Sequence, residues 1–173
     1  ITERKKSEEM LKSSEGKFKA IFDNANDGIL LADAIGKKIY IGNNAICQML
    51  GYSLEEIKNL SVTDIHPKGD LPYIMGQFER QIKEEIAVSK DLPMKRKDGS
   101  IFYVDVNSSP VTLNGIKYLL GIFRDVTERK KMEEEAYKHL HELEVFYKGA
   151  VGREERIIEL KKEIEMLKKE LGR

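Results

Sequence analysis

The feature that most constrains this chain is an abrupt change of sequence period between residues 118 and 138. Residues 118–123 (YLLGIF) form a short apolar run rich in aromatic and branched side chains, which is typical of a buried strand. Residues 128–138 are nearly all charged and helix-favouring, so the backbone must change from strand to helix within about three residues. Asp125 and Thr127 lie at the change, where short polar side chains can bond the free amides of a helix N-terminus. A strand joined directly to a helix is expected to couple the two mechanically.

The letters of this junction recur at the start of the sequence. Residues 1–6 (ITERKK) match residues 126–131 (VTERKK), an offset of 127 − 2 = 125 residues. That spacing is too long for a solenoid repeat and suits one whole small domain. We therefore expect the sequence to be part of a longer protein and to begin where a preceding, similar domain ends.

Charge and cysteine content exclude several classes of protein. The 30 Lys and Arg residues balance the 30 Asp and Glu residues, so no net field attracts nucleic acid or an anionic membrane. One cysteine excludes an intramolecular disulfide framework and fits a reducing compartment. No apolar run approaches ~18 residues, and there is no signal-peptide pattern. We predict a cytoplasmic segment that contacts neither nucleic acid nor a membrane directly.

Turn signals divide the middle of the chain into short elements. In order, they are strands 29–33 and 39–42, helices beginning at 45 and 53, a helix over 70–85, and strands 88–96, 101–111 and 118–123. Ser53 and Glu56 have the spacing of a capping box. Asp98-Gly99 and Asn114-Gly115 are strong hairpin signals. Pro93 places the strand that contains it at a sheet edge.

Five segments of the chain, in order and spacing, resemble a PAS domain of the S-box type. They are residues 22–29 (FDNANDGI), 44–57 (NAICQMLGYSLEEI), 65–67 (IHP), 96–100 (RKDGS) and 124–129 (RDVTER). The resemblance implies an α+β fold: a five-stranded antiparallel sheet, helices on one face enclosing a small cavity, and flanking N-terminal and long C-terminal helices. It also implies that Arg124, Asp125 and Thr127 couple the sheet to an output helix.

The expected organisation has four parts. They are a linker helix over 1–21, the PAS domain over 22–129, an output helix over 130–148 and a coiled-coil helix over 149–173. The linker helix is amphipathic and is expected to dock onto the domain through Phe18, Ile21 and Phe22.

Cofactor chemistry follows from comparing individual residues with the resemblance. In photoactive flavin members a reactive Cys lies where this chain has Val62, and the flavin-contacting amides correspond to Val104 and Phe123. In haem-sensing members the axial His lies on the long helix, where Ile74 stands. We therefore predict no flavin, haem or metal. His66 is interpreted as a turn residue bonded to nearby backbone.

The predicted interior is almost entirely apolar. We expect either a closed core or a cavity that holds a small apolar ligand. The candidate cavity residues are Leu31, Ile41, Cys47, Leu50, Ile65, Ile74, Phe78, Val104, Val106, Ser108, Leu119 and Phe123. Cys47, among apolar neighbours, is expected to act as a small buried hydrophobe.

The last third of the C-terminal helix has the period of a coiled coil. Its apolar residues step by 3, 4, 3 and 4, and the frame extends backward to two more. The resulting dimer seam comprises Leu143, Phe146, Ile157, Leu160, Ile164, Leu167 and Leu171. Around Gly149 and Gly152 the seam weakens, which predicts a kink, a hinge or a helix-turn-helix. A second copy of the chain is the simplest partner, and a helix folded back on its own domain is the alternative.

These patterns favour a non-catalytic sensory and dimerisation module of a two-component signal-transduction protein, beside neighbouring PAS or output domains. One alternative is a ligand-free structural adaptor that only dimerises. A second is a fragment of a histidine kinase, suggested by His139 and His141. The sequence after these histidines lacks the pattern of a phosphoacceptor helix, so we expect them to be surface or interface residues, and we predict no catalytic residue.

Overall fold

The computed structural model describes residues 2–170, and side chains through residue 169. The elements are α1 Thr2–Asp23, β1 Gly28–Asp33, β2 Ile39–Gly42, α2 Asn44–Leu50, α3 Leu54–Ile57, α4 Leu71–Ile82, β3 Val88–Lys95, β4 Ile101–Leu113, β5 Ile116–Asp125 and α5 Thr127–Glu170. A single 3₁₀ turn at Lys68–Asp70 precedes α4. The chain divides into two compact units after Glu128, a domain and most of α5.

The five strands form one antiparallel sheet in the order β2-β1-β5-β4-β3. The predicted α+β fold is therefore confirmed. Strand β5 lies at the centre, hydrogen-bonded to β1 on one side and to β4 on the other. Pro93 belongs to β3 at the edge of the sheet, as predicted, where a missing amide donor costs no ladder bond.

Turn chemistry fixes the hairpins where the sequence predicts them. Asn114 and Gly115 both have positive φ, 50° and 79°, which is the type I′ geometry that suits the twist of β4 and β5. Gly99 closes the β3–β4 hairpin with φ 86°. Ser53 and Glu56 form the predicted capping box at the start of α3.

The core lies between one face of the sheet and helices α2, α3 and α4. Strand β4 alternates as predicted, with Phe102, Val104, Val106 and Ser108 buried and the residues between them more exposed. Ile46, Leu50 and Ile57 of α2 and α3 are 0% exposed. Each such side chain contributes about 1.5–3 kcal/mol through burial.

Helix α1 has no buried residue, so its predicted docking is wrong for part of the helix. Ile21 is 75% exposed, whereas Phe22 is half-buried and stacks on Phe18 at a ring distance of 5.4 Å. Phe18 and Phe22 share a helix face because they are four residues apart, and Ile21 lies off that face. Phe18 and Phe22 line a shallow groove with Ile41 and Leu54, although Phe18 is itself 63% exposed.

Helix α5 runs from Thr127 to Glu170 as one uninterrupted α-helix. Of the three alternatives predicted near Gly149, the helix-turn-helix is therefore wrong, and a kink or a hinge stays a prediction. Glycine costs only about 1 kcal/mol relative to alanine inside a helix, and the strong helix formers Lys148, Ala150 and Arg153 lie next to the two glycines. No helix of residues 2–170 combines the length and the apolar character needed to cross a membrane.

Asn43 joins three segments of the domain and is 0% exposed. Its Oδ1 accepts hydrogen bonds from the amides of Ile29, at 2.8 Å, and Ile46, at 3.0 Å. Its Nδ2 donates to the carbonyls of Phe22, at 3.0 Å, and Asp27, at 3.1 Å. One side chain thus caps α2 and fixes the end of α1 against β1.

We expect Asn43→Ala to lower the free energy of unfolding by about 3 kcal/mol, because it leaves buried backbone groups without partners. Urea unfolding followed by circular dichroism measures the change. Asn44→Ala is the matched control, since Asn44 is adjacent and exposed. Equal stabilities of the two variants would contradict this role for Asn43.

Candidate functional site

A small cavity lies between α4 and the inner face of the sheet, with a volume of about 50 Å³. Seven of the candidate cavity residues line it: Ile65, Ile74, Phe78, Val106, Ser108, Leu119 and Phe123. They come from α4, β4, β5 and the segment before α4. The apolar lining is therefore built by elements far apart in the sequence.

The other five candidates do not line this cavity: Leu31, Ile41, Cys47, Leu50 and Val104. Leu31 is buried on the opposite face of the sheet, because its neighbours Leu30 and Ala32 face the cavity and side chains alternate along a strand. Ile41 pairs with Leu31 in the ladder and shares that face. Cys47, Leu50 and Val104 belong to the core beyond the cavity.

Eight lining residues were missed by the sequence prediction: Leu30, Ala32, Val62, His66, Gln77, Gln81, Leu92 and Gly121. On α4 a signal was present. Ile74, Gln77, Phe78 and Gln81 are spaced i, i+3, i+4 and i+7, which defines one helix face even though two of its members are polar. Because glutamine is polar, the sequence alone suggested that these two side chains face solvent.

Gly121 explains why space remains in the sheet layer. It pairs with Ser108 of β4 on one side and with Leu30 of β1 on the other, so the middle of this cross-strand row has no side chain. A Cβ atom at Gly121 would lie 2.7 Å from Cε2 of Phe123. The missing side chain therefore admits the Phe123 ring and leaves the adjacent volume unfilled.

Polar side chains meet at one side of the cavity. Nε2 of Gln81 donates to Oγ of Ser89 at 3.0 Å, and Oγ of Ser89 donates to Oε1 of Gln77 at 3.1 Å. Gln81 and Ser89 are each 4% exposed. A buried chain of neutral hydrogen bonds thus connects α4 with β3 beside the cavity.

His66 is 4% exposed and lies 2.6 Å, through Nδ1, from the carbonyl oxygen of Pro93. Because a carbonyl only accepts, Nδ1 carries a proton and the neutral ring has its lone pair on Nε2. Burial lowers the pKa of His66, with the Pro93 bond and the charge of Asp70 opposing the shift. His66 bonds backbone, as predicted, but it reaches across to β3.

Cys47 is a free, buried thiol in helix α2. Burial raises the pKa of Cys47, and the nearby negative charge of Asp23 adds to the shift. The thiolate is the nucleophilic form, so this environment disfavours reactivity. Among residues 2–170, no cluster of three or more His, Cys, Asp or Glu side chains is arranged to hold a metal ion.

The joint between β5 and α5 is held by hydrogen bonds to β4. The amide of Tyr103 donates to Oγ1 of Thr127 at 3.0 Å, and the amide of Val126 donates to the carbonyl of Tyr103 at 2.9 Å. Oδ1 of Asp125 accepts from the Thr127 hydroxyl at 2.6 Å and from the Thr127 amide at 2.9 Å. The first residue of α5 is thereby fixed to strand β4.

Two arginines connect this joint to other elements. Arg124 pairs with Asp27 through two contacts, Nη2 to Oδ2 at 2.8 Å and Nε to Oδ1 at 3.2 Å. That pairing raises the pKa of Arg124. Arg96 lies 3.5 Å from Oδ2 of Asp125, donates to the carbonyl of Met49 and covers the Phe102 ring. The prediction missed Arg96, because its partners lie far away in the sequence.

The dimer seam is exposed on α5 wherever the structure describes it. Leu143 and Phe146 are 51% and 76% exposed, and Ile157 and Leu160 are 51% and 41% exposed. Ile164 and Leu167 are each 52% exposed. Leu171 lies outside the described residues. His139 and His141 are exposed on the same helix.

The PAS domain model matches residues 26–128, which is more than half of the chain. The five-stranded fold agrees with that match, and the chain belongs to the PAS domain family. A PAS domain is itself a non-catalytic module.

Two curated proteins and one solved structure illustrate its relatives. The methyl sulfide methyltransferase-associated sensor of Methanosarcina acetivorans is 32% identical over 71% of this chain and 12% of its own length. Sporulation kinase E of Bacillus subtilis is 30% identical over 80% of this chain and 18% of its own length. The PAS domain of the HTR-like protein from Haloarcula marismortui is 27% identical, with a TM-score of 0.57 over 70% of this chain and 98% of that one. The chain thus spans under a fifth of either curated relative.

Proposed function

We propose that this chain is a sensory and dimerisation module in which the state of the cavity alters helix α5 through strand β5. One observation carries the proposal. Leu119, Gly121 and Phe123 line the cavity from β5, and α5 begins at Thr127, four residues after Phe123. A displacement of the cavity wall therefore reaches the start of α5 through the backbone of a single strand.

The hydrogen bonds of the joint support this route. Thr127 and Val126 bond the backbone of Tyr103, so a shift of β5 against β4 changes the geometry at the first turn of α5. Arg96 adds a second path, from the end of α2 to Asp125. A ligand acts through these paths only if it binds two arrangements of the domain unequally.

We expect Thr127→Val to loosen the joint, because valine keeps the shape of threonine and lacks the hydroxyl. The Tyr103 amide loses its acceptor, a hydrogen bond worth about 1 kcal/mol, which gives about five-fold faster amide exchange at Tyr103. The bond from the same hydroxyl to Asp125 is lost as well. Hydrogen–deuterium exchange followed by NMR measures this rate. Thr112→Val is the control, because Thr112 is exposed and lies on β4, the strand that contains Tyr103. If the exchange rate at Tyr103 were unchanged, the hydrogen bonds of the joint would no longer support the proposed coupling.

Homodimerisation through the dimer seam is the second part of the proposal. Because α5 is continuous, Ile157 and Ile164 fall at heptad position a, and Leu160 and Leu167 at position d. β-Branched residues such as isoleucine at position a, with leucine at position d, favour parallel two-stranded coiled coils. Their exposure in the single chain leaves this apolar stripe available for a second copy.

Adjacent isoleucines provide a matched test of the seam. Ile157 is 51% exposed and Ile158 is 53% exposed, but only Ile157 lies at a seam position. We expect Ile157→Glu to weaken dimerisation at least about tenfold, because it buries a charge between two helices. Ile158→Glu is expected to leave the affinity unchanged. Sedimentation equilibrium measures both, and equal effects would contradict the predicted seam.

The ligand-free adaptor is the alternative that one observation favours. A cavity of about 50 Å³ is small for a ligand-binding site, and a domain whose core only supports dimerisation would also have this volume. Saturable binding of a small molecule in the cavity distinguishes the sensor from the adaptor.

The wider context also belongs to this proposal. We place the chain in the cytoplasm, beside further PAS or output domains of a signal-transduction protein. Relatives described as sensors and kinases support that context. A kinase fragment that uses His139 or His141 is the third hypothesis, and an acid-labile phosphate on either histidine would support it.

A further inference from the structure

The lining of the cavity restricts the chemistry of any molecule that binds there. Size is the first restriction. An engineered cavity of about 150 Å³ binds benzene, which has six heavy atoms. The present cavity, at about 50 Å³, is a third of that volume. Its contents are therefore limited to roughly two to four heavy atoms.

Charge is the second restriction. The residues that line the cavity include no Asp, Glu, Lys or Arg. His66 has its Nδ1 proton engaged by the Pro93 carbonyl, and burial lowers its pKa, so the ring is neutral near pH 7. An ion in this cavity would lose its hydration and gain no opposite charge.

An unused hydrogen-bonding group is the third restriction. Ser108 is 5% exposed and faces the cavity from β4. Its hydroxyl takes part in none of the side-chain hydrogen bonds described for residues 2–170, whereas the neighbouring Gln81, Ser89 and Gln77 side chains bond one another. Every fully enclosed side-chain nitrogen or oxygen of these residues has a partner, so the Ser108 oxygen is open to a water-sized probe. A hydroxyl that lines the cavity and is open to a probe can donate one hydrogen bond to a bound molecule and accept others.

We infer that the cavity binds a small uncharged molecule with one hydrogen-bonding group, held at Ser108, and an apolar body packed against Leu30, Ile74 and Phe123. This inference rests on the proposed sensory role of the cavity and specifies its ligand class. The sequence alone predicted either a closed core or a small apolar ligand. The Ser108 hydroxyl, opposite the bare backbone of Gly121, adds a polar requirement.

Four probes of three heavy atoms each test the inference: ethanol, propane, formate and ethylammonium. Titrations of the whole chain are followed through the ¹H–¹⁵N shifts of Ser108, Leu119 and Gly121. We expect saturable shifts with ethanol at a dissociation constant of about 1 mM or weaker, since three heavy atoms supply no more. Formate and ethylammonium are expected to cause no saturable shift.

Two variants assign the polar contact. Ser108→Ala removes the hydroxyl and is expected to lower the affinity for ethanol, relative to propane, by about five-fold. Ser109→Ala makes the same change on the adjacent, exposed residue of β4 and is expected to leave both affinities unchanged. The amide spectrum of each variant also reports whether the fold is intact.

The other outcomes overturn the inference in distinguishable ways. Saturation by propane alone, or an unchanged ethanol-to-propane ratio in Ser108→Ala, would make the ligand purely apolar and leave the cavity as a sensory site. Saturation by formate or ethylammonium would contradict the requirement for an uncharged ligand. No saturation with any probe would remove the cavity as a binding site and favour the ligand-free adaptor.

Discussion

The bond between the Tyr103 amide and the Thr127 hydroxyl decides where this domain ends and its helix begins. Strand β5 pairs with β4 as far as Asp125, opposite Val104. The residue that precedes Val104 in β4 is Tyr103, and its amide donates to the hydroxyl of Thr127. The same hydroxyl donates to Oδ1 of Asp125. Tyr103, Asp125 and Thr127 thus supply hydrogen-bond partners both for the last position of the sheet and for the first residue of the helix. The change from strand to helix would otherwise leave backbone polar groups unpaired, and these hydrogen bonds pair them and fix the joint.

The cavity and the joint share strand β5, and the proposed coupling between them depends on this strand. Gly121 leaves a gap in the row between Ser108 and Leu30, and the Phe123 ring occupies part of it. Native cores are packed too closely to absorb a change of even one methylene without shifts nearby. A change in cavity contents is therefore expected to move Phe123 and, through the short remaining strand, Thr127. The exposed seam of α5 offers a way to pass such a movement to a second helix.

Local chemistry made much of the fold predictable. Asp98-Gly99, Asn114-Gly115 and the Ser53 capping box depend on neighbouring residues only, and β4 has one apolar face. Leu31 was misplaced because β1 buries both faces, so alternation could not distinguish it from Leu30. Gln77 and Gln81 were missed because polar residues on a helix suggest a solvated face until their partner Ser89, from another element, is known. Arg96 depends in the same way on Met49 and Asp125.

One measurement tests most directly whether the cavity acts on the helix. Ile74 lines the cavity from α4 and is remote in sequence from the joint, so Ile74→Val changes the cavity wall by a single methylene. Amide exchange is then compared at residues 131–134, the first hydrogen-bonded turn of α5, with and without this change, in the natural and the Thr127→Val backgrounds. The account predicts a change of exchange rate in the natural background and its loss in Thr127→Val. A changed cavity with identical exchange at residues 131–134 would contradict it.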